Sequence, residues 1–411
     1  MSSNKSELKK LFFRRWRQLV ELGRCPVRPY ASVASARTIF IDASVWWAAG
    51  PRRDETRGDE LVGRVATDVE RAFAGAVHTV VVSFDKRRHV PAEKSRTQRA
   101  RSERLGAEPL IIADDQPLIA ERVSLPPWGP LRANRAAFER AQAELVELLV
   151  RRVRVPERAR LIVDYASSSA DSRPYVVTSR ALERSDALAN DVGEADMFAQ
   201  RVQLAARGLT RSRWARAFRD AYECGDVVLW SVDTDYLTLA PLHDNRRCAH
   251  RVYVSTGRAE EPGYAELFDV RAFELGADAL SFATVSALCG NDYVDKLESV
   301  SRRQLLDAYA TLARPLAVRV DSHALVDPAA LVELLARVYA ARLGEAAPLR
   351  GDYQRLAASL LYARAERPSL PDALDEDQLV ALYADVQWAV DYALRGPKGN
   401  KRVETRKISV E

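Results

Sequence analysis

The sequence predicts an α/β chain: a parallel or mixed central sheet flanked by helices, followed by a helical carboxyl-terminal region. Three observations carry this. Short apolar runs rich in Val and Ile alternate with longer segments of helical periodicity. The runs are apolar throughout rather than alternating, as expected of strands covered on both faces. Several run directly into isolated carboxylates: Thr38-Ile39-Phe40-Ile41 into Asp42, Thr79 to Phe84 into Asp85, and Val227 to Val232 into Asp233-Thr234-Asp235.

Taken in order, residues 5–23 place Leu8, Leu11, Phe12, Leu19 and Val20 at roughly helical spacing, with Gly23 and Pro26 as stop signals. The strand into Asp42 follows, then a helix from Asp59 to Ala74, then the strand into Asp85. Residues 86–107 are basic, polar and nearly devoid of large apolar side chains, so they cannot be core; after Pro91 a helix over about 92–105 is expected. Ser124-Leu-Pro-Pro-Trp-Gly-Pro-Leu131 reads as a rigid connector. A long helix over about 133–154 leads to the strand Leu161-Ile162-Val163. Residues 166–192 read as surface loop with some helix, and Glu194 and Asp196 open a helix to about Ala206. Val252-Tyr253-Val254 is the strand after Asp233 and Asp235. Residues 267–289 read as mostly helical and deliver Gly290-Asn291-Asp292 at their end. From about 301 the pattern reads as all helix, and from Gly396 as a basic, disordered tail. The expected organisation is therefore a catalytic-type domain over 1–300 with a basic arch at 86–107, a helical region over 301–395, and a tail over 396–411.

Composition narrows the class. With 411 residues, 47% hydrophobic and 29% charged, the chain has the content of a soluble globular protein with a large core. Four scattered cysteines (Cys25, Cys224, Cys248, Cys289) form no CxxC pair, so a reducing, intracellular setting is expected rather than a disulfide framework. Cys248-Ala249-His250 with His243 matches no common zinc spacing and reads as plain loop. No apolar run reaches the ~18 residues needed to span a membrane. The net charge of +5 is modest, but its placement is not. Residues 1–30 hold eight Lys/Arg against two acids, and residues 86–104 repeat that ratio. Such stretches suit a polyanionic partner.

The acids suit a different chemistry. A carboxylate at the end of a buried strand points into the crevice where open α/β sheets bind ligands. Several converging there cannot all stay ionised without cations. Hard divalent ions take oxygen ligands and keep several waters, so His is dispensable, and none of the five His lies in the acidic motifs. Two Mg²⁺ or Mn²⁺ ions about 4 Å apart activate a water and stabilise the entering and leaving oxygens of phosphodiester hydrolysis. Taken singly, Asp42 is as well explained as a turn former or helix cap, and Glu194 as part of a capped helix start. Asp233 and Asp235 are stronger, because they alternate along an extended segment and can face the same way. Lys94, Gln98 and Arg101 fall at i, i+4 and i+7, on one helix side, and with Arg99 suit phosphate contacts. Lys86, Arg87, Arg88, Arg96 and Arg104 complete the basic stretch. Trp46 and Trp47 either stack a base at the cleft or are core residues.

These residues resemble the superfamily of 5′ nucleases with a PIN-like fold that includes flap endonucleases, XPG-type nucleases and Xrn-type 5′→3′ exoribonucleases. The ordered acids Asp42, Asp85, Glu194, Asp196, Asp233, Asp235 and Asp292 look like that superfamily's metal ligands. Ile41-Asp-Ala-Ser44, Glu194-Ala-Asp196 and Gly290-Asn-Asp-Tyr293 look like its signature segments. The resemblance covers roughly residues 5–295. It implies a hydrolase that binds two Mg²⁺ or Mn²⁺ ions and acts on RNA or DNA with a 5′ end. Phe12-Phe-Arg-Arg-Trp16, the spacing of Lys94, Gln98 and Arg101, Asn291, and Gln387-Trp388 with Asp391-Tyr392 resemble the exoribonuclease branch. Arg101-Ser-Glu-Arg104 and Ile41-Asp-Ala-Ser44 look more like flap endonucleases. Departures from the pattern are the missing Met-Gly start, a long insertion between Asp85 and Glu194, and the absence of a Gly-Ile-Gly-Pro-type turn after Asp292. The length, short for a cellular exoribonuclease, fits a divergent, virus-encoded member. The leading expectation is an Xrn-like 5′→3′ exoribonuclease. The alternatives are a flap-type DNA endonuclease and a catalytically silent binding module that keeps the fold. Compartment (cytoplasm or nucleus) and protein partners stay open.

Overall fold

A computed structural model of the chain describes residues 36–47, 50–73, 75–86, 116–165, 173–190, 193–210, 213–220, 224–233, 235–244, 247–255, 267–272, 279–289, 294, 302–309, 311–312, 314–320, 323–343 and 376–395. The helix expected over 5–23, the basic segment from 87 with Lys94, Gln98, Arg99 and Arg101, Asp292 and the tail lie outside them. The chain divides into two compact units, residues 19–273 and residues 1–18 with 274–411.

In the larger unit, β1 (Ala36–Asp42), β2 (Thr79–Ser83), β3 (Arg160–Asp164), β4 (Tyr175–Val177), β5 (Leu182–Arg184), β6 (Asp226–Trp230), β7 (Val252–Ser255) and β8 (Phe268–Asp269) form one sheet. Its order is β5-β4-β3-β2-β1-β6-β7-β8. The five strands that run from β3 to β7 in this order are parallel, and β4, β5 and β8 extend the two edges antiparallel. The parallel strands are the apolar runs of the sequence, and Ile39–Ile41, Val80–Val82 and Val227–Leu229 are completely buried. Burial on both faces is what makes a run continuously apolar.

Helices supply the cover: α1 (Ser44–Trp47), α2 (Gly58–Ala72), α3 (Trp128–Ala133), α4 (Arg135–Arg152), α5 (Ala195–Ala206), α6 (Arg213–Asp220) and α7 (Tyr236–Leu242). Phe198 of α5 meets Phe40 of β1 edge-on at 6.0 Å, and Trp46 of α1 meets Trp230 of β6 at 5.7 Å. Asn134 caps α4 by accepting from the Ala137 amide at 3.1 Å, as an N-cap Asn should. The α/β class and the mixed sheet are as the sequence predicts. Two segments differ. Residues 166–192 contribute the edge hairpin β4-β5 and one 3₁₀ turn rather than loop with helix, and residues 267–272 give a short strand and a 3₁₀ turn before any helix. Edge strands of two or three residues are too short to show a period.

The smaller unit holds α8 (Ala279–Leu288), α9 (Arg302–Tyr309), a hairpin of β9 (Ala317–Val320) and β10 (His323–Val326), α10 (Pro328–Leu343) and α11 (Glu376–Arg395). The hairpin corrects the all-helix expectation from 301. In β10, exposed His323 and Leu325 alternate with buried Ala324 and Val326, a period of two inside a helix-rich context. Helix α11 pairs the open edge of β10. Gln387 accepts from the Val326 amide at 2.8 Å and donates to the Ala324 carbonyl at 2.6 Å, while Asp391 accepts from the Ala324 amide at 2.9 Å. Trp388 stacks on Tyr392 at 5.0 Å. The Gln387-Trp388, Asp391-Tyr392 segment thus has a local structural role: it seals an edge that would otherwise template further pairing. No helix of the described residues is long and apolar enough to cross a membrane.

Candidate active site

Parallel pairing puts the carboxyl ends of β1, β2, β3, β6 and β7 on one edge of the sheet. The chain leaves β1 toward β2 on one side, whereas β6 joins β1 on the other, so the strand order reverses between β1 and β6. That reversal is where an open sheet leaves a crevice. Asp42 is the last residue of β1 at this point, and Asp233 lies just beyond β6 across it. Ser231 bridges them: its hydroxyl donates to Asp42 Oδ2 at 3.0 Å and accepts from the Asp233 amide at 3.0 Å.

Four of the acids are held by a backbone donor. Asp42 Oδ1 accepts from the Ser44 amide at 2.8 Å, which starts α1. Asp85, two residues past β2, accepts from the Ala195 amide at 2.9 Å and so ties the β2 end to the start of α5. Asp196 accepts from the Met197 amide at 2.6 Å, and Asp233 from the Asp235 amide at 3.2 Å. Glu194 is the wholly buried N-cap of α5, and Asp235 is the half-buried residue before α7. One or two backbone bonds leave most of a carboxylate's roughly four acceptor sites for other partners.

Burial and charge act together on two groups here. Burial first, then the carboxylate of Asp85, push Asp42 from 3.8 up to about 7, with Asp233 adding to the rise and the Ser44 bonds opposing it. Tyr236, the first residue of α7, is raised well above the usual phenol range by burial and then by Asp42, Asp196, Asp85 and Asp233. Four expected ligands from three strand ends and one helix start thus act on one buried point. Glu194 and Asp235 stand beside them in sequence, and Asp292 lies outside the described residues.

Among the described residues, no group of three His, Cys, Asp or Glu side chains is drawn together tightly enough to hold one metal ion. The donor chemistry nevertheless fits a hard divalent cation: the set is all carboxylate oxygen. Burial first, then Asp85 and Asp233, raise Asp42, as neighbouring carboxylates in a buried site do.

Three placements differ from the sequence reading. Lys86, expected among phosphate contacts, is 7% exposed and donates to Asp164 Oδ1 at 2.7 Å and to the Asn190 carbonyl at 3.2 Å. The β2–β3 end and the loop before α5 are thereby locked together. The Lys86 amide donates to the Gly193 carbonyl at 2.6 Å, the Gly193 amide to Asn190 Oδ1 at 3.0 Å, and the Asn190 amide to Asp164 Oδ1 at 3.1 Å. Gly193 itself has φ of 92°, which only glycine adopts freely. Trp47, expected as a possible base platform, is 5% exposed and packed on Trp128 at 4.7 Å, Phe138 at 5.0 Å and Phe84 at 6.1 Å. Trp46 is core too, its indole N–H donating to buried Asp68 at 2.9 Å. Their apolar neighbours come from distant segments that no local pattern joins. Sequence reasoning passed over Asp164 and Tyr236. Asp164 was findable, since Leu161-Ile-Val-Asp164 repeats the Ile39-Phe-Ile-Asp42 pattern.

No protein-family model matches the chain, and no curated protein matches it in sequence. Some solved structures are similar to it at a low level. The catalytic core of Rad2 in complex with DNA substrate (complex II) superposes with a TM-score of 0.41 and 13% identity, covering 90% of this chain and 92% of that one. A second such complex (complex III) gives 0.37 and 16%, covering 70% and 66%. The catalytic core of Rad2 (complex I) gives 0.34 and 14%, covering 70% and 62%. A likeness of this size assigns no residue a role.

Proposed function

We propose that the chain is a metal-dependent nuclease that hydrolyses nucleic-acid phosphodiesters at the carboxyl edge of its larger sheet. One observation supports this above the others: at the strand-order reversal Ser231 joins Asp42 to Asp233, and the Ala195 amide ties Asp85 to the start of α5, beside Asp196. A module that only bound polyanions would gain nothing from a buried set of repelling carboxylates at its crevice.

When bound, a pair of Mg²⁺ or Mn²⁺ ions would supply Lewis-acid activation of water and charge stabilisation at the reacting phosphate. Asp42, Asp85, Asp196 and Asp233 would hold them, with Glu194, Asp235 and Asp292 as the further ligands that the sequence resemblance implies. Ser231 and Ser44 orient Asp42, and the Ala195 amide orients Asp85. The Lys86–Asp164 pair fixes the loop that carries Glu194 into the site. Phosphate contact falls to Lys94, Gln98, Arg99 and Arg101 in the basic segment. The resemblance of that segment to the exoribonuclease branch favours RNA with a 5′ monophosphate, digested 5′→3′, over a flapped DNA duplex.

The test is a cleavage panel with Mg²⁺ and with Mn²⁺: single-stranded RNA bearing a 5′ monophosphate or a 5′ hydroxyl, and a flapped DNA duplex. Metal-dependent cleavage that is lost in Asp233→Asn/Asp235→Asn, with nucleic-acid binding equal or tighter, supports the nuclease. Unchanged cleavage in that variant removes these acids from the mechanism. Preference for the monophosphate that disappears in Lys94→Ala supports the 5′-end reading, and equal cutting of both RNAs overturns it.

A further inference from the structure

Arg184 is the last residue of β5, a strand antiparallel to β4 and so running in the same direction as β3. It therefore stands at the carboxyl edge of the sheet, where β5 passes into the segment that leads to Glu194 and Asp196. Register sets Arg184 opposite Tyr175, and Tyr175 opposite Val163, two residues before Tyr165. The three side chains share one face. The guanidinium carbon lies 3.4 Å from the centre of the Tyr175 ring and 5.8 Å from that of Tyr165, and the two rings are within 5° of parallel at 6.0 Å. Nη1 donates to the Tyr165 hydroxyl at 3.1 Å and to the Arg173 carbonyl at 2.7 Å. A ring face, a phenol and a carbonyl fix the group in place, but none of them cancels its charge. Among the described residues no carboxylate pairs with Arg184, and its other edge, Nε with Nη2, has no partner. Glu183 belongs to the opposite face by strand alternation. Lys86, at the same edge of the sheet, shows the contrast, because Asp164 takes up its charge at 2.7 Å.

From this we infer that Arg184 binds a backbone phosphate of single-stranded RNA that runs along the carboxyl edge away from the strand-order reversal. The inference rests on the reading that nucleic acid is cleaved at that edge, and adds a contact outside the basic segment. Nε–H and the adjacent Nη2–H point the same way and match two oxygens of one phosphate. Because Arg184 and Tyr175 are half-buried and already packed, the fork loses little freedom when a phosphate arrives. The order of strands sets the reach. β5 stands four strands from β1, about 19 Å at about 4.8 Å per strand. A stacked strand advances about 3.4 Å per nucleotide, which places this phosphate some six nucleotides from the one at the reversal.

Arg184→Gln tests this, because its planar amide can still lie on Tyr175 and donate to the Tyr165 hydroxyl while the charge is gone. The full chain is titrated in chelator against a fluorescent single-stranded RNA of about 20 nucleotides, long enough to reach β5, and anisotropy is read across a salt series. Affinity is expected to fall on the order of 10-fold. The slope of log affinity against log salt is expected to become shallower by about 0.7, the share of one single-strand phosphate contact. Arg184→Lys should restore the slope. A slope in Arg184→Gln equal to that of wild type overturns the inference, whatever happens to stability. So does a slope in Arg184→Lys as shallow as in Arg184→Gln, since lost structure rather than lost charge would then be the cause. A second measurement needs no variant: RNA should protect Arg184 of the wild type from phenylglyoxal, read by peptide mass spectrometry, and equal modification with and without RNA also overturns the inference. If the wild type cleaves the panel but the slope does not move, this inference alone falls. If the slope moves as expected but nothing is cut, the nuclease reading alone falls.

Discussion

Replacing Asp42 by Asn tests the electrostatics of the site without any substrate. In the folded, metal-free chain, burial and the neighbouring acids lift Asp42 from 3.8 to about 7. The unfolded chain therefore gives up this proton near pH 4 and the folded chain only near pH 7. Between those values the native state binds more protons, so stability falls as pH rises. The cost is absent below about pH 4, accumulates across the window, and is complete above about pH 7. A shift of about three units at about 1.4 kcal/mol each sets a ceiling of roughly 4 kcal/mol at pH 8. Asn avoids that cost and keeps both bonds in form, since its amide oxygen can accept from the Ser44 amide and its amide nitrogen can donate to the Ser231 hydroxyl. Urea unfolding with chelator present should show Asp42→Asn more stable than wild type at pH 8 by up to roughly 4 kcal/mol, with the gap closing toward pH 4. Saturating Mg²⁺ should stabilise the wild type more than the variant. A difference independent of pH, or a variant less stable at pH 8, would refute the claim that like charge and burial, rather than a built-in counter-ion, set this group.

Further perturbations separate site from scaffold. Asp233→Asn/Asp235→Asn should leave the far-ultraviolet circular dichroism unchanged and reduce cleavage by at least about two orders of magnitude, read from initial rates. Lys86→Met leaves Asp164 as an uncompensated buried charge and should destabilise the fold by about 3–5 kcal/mol; adding Asp164→Asn should recover much of that loss in chemical denaturation. Trp47→Ala should lower stability by about 3–5 kcal/mol through cavity formation among Trp128, Phe138 and Phe84. In the fraction that remains folded, RNA affinity by fluorescence anisotropy should be unaltered.

What the sequence discloses follows the range of the interaction that decides each feature. The parallel strands are legible because double-sided burial writes itself as unbroken runs such as Thr79 to Phe84. The start of α5 after Glu194 is legible because an acid in the first helical turn is a local signal. The β9-β10 hairpin is hidden, since four residues of alternation at 323–326 are outweighed by helical periodicity on both sides. The site shows the same division. Asp42, Asp85 and Asp233 were visible as strand-end acids, and parallel topology alone carries them to one edge. The burial of one basic-patch candidate and one cleft candidate was not visible. Lys86 is taken up by Asp164, 78 residues away, and Trp47 by Trp128, 81 residues away. Pairings at that separation depend on the finished fold.

The strand-end acids illustrate two ways of carrying a buried negative charge. Asp42 and Asp164 lie level with Ser83 in adjacent register, at the same edge of the same sheet. Asp164, wholly buried, receives a permanent cation from within the chain, the Lys86 ammonium at 2.7 Å, and that pair serves structure, since it clamps the Asn190–Gly193 loop. Asp42 is scarcely better exposed, yet among the described residues no ion pair reaches it or Asp85. Its neighbours are carboxylates and hydroxyl or amide donors that cannot cancel a charge. Leaving Asp42 with a near-neutral pKa costs stability at physiological pH, because the folded chain must ionise it against burial and like charge. Asp164 at the end of β3 thus serves the fold, whereas Asp42 at the end of β1 carries a charge that burial and neighbouring carboxylates oppose.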